Sequence, residues 1–137
     1  MGTSAGGARA KAIIAWNEKT KEIRSGQILL DKDFDYWLMK FDGVQKNGDH
    51  GLEDYFEYTL IEYAYYKMAV AAGIQMNECK IYSENGNNHF MTKRFDRVDG
   101  KKLHMQTLGA LAHINYNEPR LCSYEQAAGY MRELKLS

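Results

Sequence analysis

The chain has 137 residues, a length that suits one small domain rather than two. Its 18 Lys and Arg balance 18 Asp and Glu, which argues against a protein held to nucleic acid by bulk charge. Hydrophobic residues at 45% and charged residues at 26% fit a soluble globular domain and exclude disorder. The longest uncharged stretches, 68–77 and 103–117, are too short and too polar to span a bilayer. The first residues lack an apolar signal core, and Cys79 and Cys122 share no metal-binding or redox spacing. Reduced cysteines and a cytoplasmic location are therefore expected, with no membrane partner.

In chain order, Lys11–Trp16 (KAIIAW) is apolar and β-branched at its centre and reads as a strand. A turn at 17–21 and a return strand over Glu22–Leu30, broken near Ser25-Gly26, complete an antiparallel hairpin. Asp35–Phe41 is a third strand with Tyr36, Leu38 and Lys40 on one face and Trp37, Met39 and Phe41 on the other. Residues 41–51 are glycine-punctuated and polar, hence a loop. Leu52–Ala72 carries Phe56, Leu60, Ala64, Met68 and Ala71 at helical spacing. Its other side is also rich in Tyr, so this helix is expected to be buried on more than one side. Cys79–Ser83 and His89–Arg94 flank Asn85-Gly86, a strong hairpin signal. Lys101–Met105 would extend the sheet, and short helices near Gln106–Ile114 and Tyr124–Leu136 follow, the latter capped by Ser123. The fold class is α+β: an antiparallel sheet with one long helix packed on it.

Four segments could carry chemistry. Gly2–Lys11 is rich in small residues with Arg9 and Lys11 added, which suits either an anion-cradling loop or a flexible tail. It is neither a P-loop nor a dinucleotide fingerprint, since Ala8 stands where the P-loop needs Lys and GxGxxG is absent. Lys40 sits on a strand between Met39 and Phe41, where its ammonium must meet an anion or reach water. Glu62 lies among tyrosines on the long helix, as a boundary charge or a partner for a cation. Strand lysine followed by helix glutamate is the order of the ion pair that positions the phosphate-binding lysine in protein kinases. Finally, His89–Arg97 is a strand running into a charged turn, where Asp96 could pair with Arg94 or Arg97.

Taken together, GTSAGGARAKA (2–12), YWLMKFDG (36–43), IEYAYYKMAVAAGI (61–74) and TKRFDR (92–97) resemble HipA-like serine/threonine kinases, bacterial toxins of toxin–antitoxin modules and their relatives. The resemblance spans essentially the whole chain and implies a kinase N-lobe over 1–137. It places Ser4 on an autophosphorylated serine, and Ser4, Ala5, Gly6, Gly7, Ala8, Arg9 and Lys11 in the loop over the ATP phosphates. Lys40 falls on the lysine that contacts those phosphates, and Glu62 on the glutamate that steadies it. Lys93, Arg94 and Phe95 fall on the hinge whose backbone binds adenine. The implied cofactors are ATP and Mg²⁺, with no metal ligands in this chain. The implied partners are a protein substrate, such as a translation component, and an antitoxin, without direct nucleic-acid binding.

Two departures qualify the resemblance. Met105-Gln106-Thr107 replaces a Gln-Glu-Asp-like stretch, and the Asp-Asp-His-x-x-Asn catalytic loop is missing. Asn47-Gly48-Asp49-His50 is only superficially similar and reads as plain loop. The expectation is an N-lobe fragment, cut before its catalytic half and inactive alone. The rivals are a non-catalytic lobe-like binding module and a small-molecule phosphotransferase sharing the lobe.

Overall fold

The computed structural model describes residues 10–28, 30–42, 58–99, 101–115, 118 and 120–135. The glycine-rich segment Ser4–Arg9, most of the predicted 41–51 loop and residues 52–57 of the predicted helix lie outside the described residues. The chain divides into two compact units, Met1–Lys102 and Leu103–Ser137.

In the first unit, β1 (Lys11–Trp16), β2 (Ile23–Ser25), β3 (Asp35–Lys40), β4 (Cys79–Glu84) and β5 (Asn87–Lys93) form a five-stranded sheet. The order is β2-β1-β3-β5-β4 and every neighbouring pair is antiparallel. Local chemistry sets both hairpins. The Asn17 side chain accepts from the Lys19 and Thr20 N–H groups, bending the chain out of β1. Asn85 and Gly86 both have positive φ, +50° and +80°, as a two-residue type I′ turn requires. The return strand is shorter than predicted and ends at Ser25, because Gly26 closes tightly over β1. Its N–H donates to the Ile13 carbonyl at 3.0 Å, and a Cβ there would stand 2.6 Å from Ile13 Cγ2. Gly26→Ala should therefore cost about 1–3 kcal/mol through overpacking. A lowered urea midpoint with unchanged slope is the expected reading.

Strand alternation divides the sheet into two faces. One carries the core of Ile14, Trp37, Met39 and Met91, flanked by Ala12, Trp16 and Tyr82. Lys80 lies over the Trp16 and Trp37 rings there, between Glu18 and Glu78. The other face takes helix α1 (Tyr58–Ala71), which ends in a Schellman motif around Gly73, φ +84°.

The packing of α1 corrects the sequence reading in two respects. The predicted stripe of Leu60, Ala64, Met68 and Ala71 is not the buried one: Ala64, Met68 and Ala71 are exposed, and Thr59 is the buried residue. Nor is α1 covered on more than one side, since Tyr65 is 65% and Met68 63% exposed. Polar anchors choose the phase of the helix. The buried Thr59 hydroxyl donates to the Asn88 carbonyl of β5, and Glu62, one turn on, reaches Lys40 of β3. A further correction concerns Lys101–Met105. Only Lys101–Lys102 forms a strand, β7, and it pairs with β6 (Arg97–Val98) as a separate ribbon instead of extending the sheet.

The second unit holds α2 (Leu108–Leu111) and α3 (Tyr124–Glu133). Thr107 caps the first, and a Ser123–Gln126 capping box starts the second. Both cysteines are free; Cys122 is exposed and Cys79 is buried. Burial pushes the Cys79 thiol up, the Thr92 hydroxyl pulling partly the other way. Thiol titration of the native protein should thus find Cys122 reacting fast and Cys79 only after denaturation.

Candidate functional site

The α1 face of the sheet is ordered in cross-strand rows. The first row holds Lys11, Lys40, Phe90 and Ile81, partners in register from β1 to β4. The next holds Ile13, Leu38, Thr92 and Cys79, and the third pairs Ala15 with Tyr36. Along β3, Lys40 and Tyr36 lie four residues apart, roughly 13 Å at the rise of a strand. This face thus has a cationic end, an apolar middle row and an aromatic end.

At the cationic end the Lys40 ammonium donates to Glu62 Oε1 at 2.6 Å and stands 5.8 Å from the Phe90 ring centroid. The other carboxylate oxygen, Glu62 Oε2, is buried and accepts no hydrogen bond among the described residues. Lys40 and Glu62 side chains keep 29% and 33% of their exposure. A pair this open to water contributes about 0–1 kcal/mol to stability. Its effect is to hold the lysine in one direction. Register sets Lys11 directly across from Lys40, an arrangement that like charges disfavour unless an anion or a carboxylate lies between them.

The other end is built around Asp96, which is 3% exposed. Arg94 grips its carboxylate through Nε at 2.7 Å and Nη2 at 2.6 Å, and Arg97 Nη1 adds a third bond at 2.7 Å. The Arg97 guanidinium also lies 5.8 Å from the Tyr36 ring centroid. Tyr36 in turn donates to the Ile28 carbonyl and accepts from the Leu30 N–H, each at 2.9 Å. The Arg94 hydrogen bonds hold the Asp96 carboxyl below its ordinary range against the opposing effect of burial, with Arg97 adding to the pull. A depressed carboxylate contributes stability above its unfolded pKa of about 3.9 and loses it as pH falls through the folded value. Below pH ~4 the thermal midpoint of wild type should therefore fall more steeply than that of Asp96→Asn.

Of the sequence-predicted residues, the structure brings Lys40 and Glu62 into contact and Lys11 onto their row. Ser4, Ala5, Gly6, Gly7, Ala8 and Arg9 lie outside the described residues. Lys93, Arg94 and Phe95 sit where β5 leaves the sheet, at the Tyr36 end. Lys93 pairs with Asp35 at 2.8 Å, its N–H donates to Glu78 and its carbonyl accepts from Asn77. The Arg94 N–H donates to the Tyr36 carbonyl at 2.8 Å, while the Phe95 side chain points outward, 63% exposed. Sequence reasoning set Tyr36 and Leu38 on the Lys40 face without naming them as site residues, and it missed Ile13 and Thr92, which only the register across the strands brings into line. Among the described residues no cluster of His, Cys, Asp or Glu could hold a metal ion, and no helix is long and apolar enough to cross a membrane.

No curated protein and no solved structure matches the chain. The family model for the HipA-like C-terminal domain matches residues 3–137. With a match over nearly its whole length, the chain belongs to the HipA-like C-terminal domain family.

Proposed function

We propose that this chain is the nucleotide-binding N-lobe of a HipA-like serine/threonine protein kinase, using ATP with Mg²⁺. The observation that carries the reading is the Lys40–Glu62 pair, which fixes an ammonium at one end of a graded sheet face. Lysine so held meets the phosphates as a directed point charge. The Ile13, Leu38 and Thr92 row offers an apolar bed for ribose and base. The backbone beyond β5 then faces the base edge, and the span from Lys40 to Tyr36 is comparable to an extended nucleoside triphosphate.

In the reaction a Ser or Thr hydroxyl oxygen bonds to the γ-phosphorus of ATP as the bond to the β,γ-bridging oxygen breaks. ADP leaves, and the hydroxyl proton passes to a general base. Lys40 offsets charge on the phosphates throughout, and Glu62 keeps it aimed. The base and the Mg²⁺ ligands are assigned outside this chain, because its sequence has no Asp-Asp-His-x-x-Asn loop. Autophosphorylation at Ser4 belongs to the same reading. A phosphate there adds about −2 charge to a segment that the resemblance puts over the ATP phosphates, and so opposes nucleotide binding.

The test is phosphosite mapping by mass spectrometry after incubating the intact protein with Mg²⁺ and ATP. The expected product carries phosphate on Ser4; phosphate elsewhere with Ser4 unmodified overturns that assignment. Labelling of a metabolite but of no protein would favour the small-molecule phosphotransferase.

A further inference from the structure

We propose that Asp96 is a positioning residue for the base end of this site, an inference that rests on the nucleotide reading above. A main-chain group recognises a base edge only when its direction is fixed. The Lys93 N–H, the Lys93 carbonyl and the Arg94 N–H are already bonded to protein. Beside the second lone pair of the Lys93 carbonyl, the groups left to face a base among the described residues are the Arg94 carbonyl and the Phe95 N–H. These lie in the short turn between β5 and β6, and the aim of that turn is set by Asp96.

The turn is held from below by three guanidinium bonds to one carboxylate, and Arg97 also donates to the Asp96 carbonyl at 3.1 Å. Phe95 cannot perform this service, since its ring faces outward. Arg97 over the Tyr36 ring ties the turn to the Tyr36 end of the α1 face. Burying a carboxylate between arginines is a poor way to gain stability, because desolvation consumes most of the attraction. It is a good way to fix a direction, because bidentate guanidinium geometry is rigid. The cluster thus acts on the base through the backbone and leaves the phosphate end, two rows away, untouched.

The test titrates the intact protein with two probes, ATP and inorganic tripolyphosphate, for wild type, Asp96→Asn and Arg97→Lys. Tripolyphosphate has no base, so it reports the phosphate end alone and serves as the folding control. Asp96→Asn should weaken ATP roughly 10- to 100-fold through loss of charge-assisted bonds, with tripolyphosphate unchanged. Arg97→Lys keeps the charge but not the fork, and should weaken ATP less, again selectively. ATP affinity at the wild-type level in Asp96→Asn overturns the proposal and leaves the nucleotide reading standing. Equal losses for both probes in both variants reduce Asp96 to a structural role and overturn it also. A wild-type protein that binds neither probe overturns the nucleotide reading, and this proposal with it.

Discussion

Lys40→Met is expected to slow phosphoryl transfer by the intact protein about 10²–10³-fold, the usual loss when one preorganised charge is removed from a transition state. The fold should survive, because the lost ion pair is about a third exposed on each side and worth at most about 1 kcal/mol. Met preserves most of the aliphatic stem against Phe90, so packing is little disturbed. Glu62→Gln should act in the same direction but less strongly, since it releases the lysine without removing its charge. A Lys40→Met protein that transfers phosphate at the wild-type rate removes Lys40 from the mechanism.

Trp37→Ala is the change expected to cost most stability, about 3–5 kcal/mol. Trp37 is 1% exposed at the centre of the Ile14, Met39 and Met91 cluster. Its ring stands 6.0 Å from that of Trp16, and Lys80 lies over it at 5.2 Å. Among the described residues the buried indole N–H has no hydrogen-bond partner, so Trp37→Phe forfeits area but no polar bond and should cost far less. Urea denaturation of the two variants checks the pair of expectations. Near-equal losses would mean that ring volume is not what Trp37 contributes.

The strands were legible because their signals are local. KAIIAW, the Asn85-Gly86 turn and the Ser123 cap each act within a few residues, and the structure places all three as expected. The helix face was not legible. When Tyr, Ile, Met and Ala surround α1, hydrophobic spacing fits several phases equally well, and two polar contacts decide. Thr59 must find the Asn88 carbonyl and Glu62 must find Lys40, and both partners lie far off in sequence. Asp96 was visible as a charge between Arg94 and Arg97. That both arginines would close on it, and that Arg97 would lie over Tyr36, depends on burial and on the path of β6. The rows Lys11–Lys40–Phe90 and Ile13–Leu38–Thr92 likewise needed register across three strands, which pattern alone does not supply.

The most direct measurement is affinity labelling of the intact protein with an acyl phosphate of ATP, which transfers its acyl group to a lysine lying beside the phosphates. Peptide mapping should place the label on Lys40 or Lys11, with excess ATP suppressing it. Label on Lys80 or Lys93 instead, or label that excess ATP does not suppress, would contradict the assignment of this sheet face to a nucleotide.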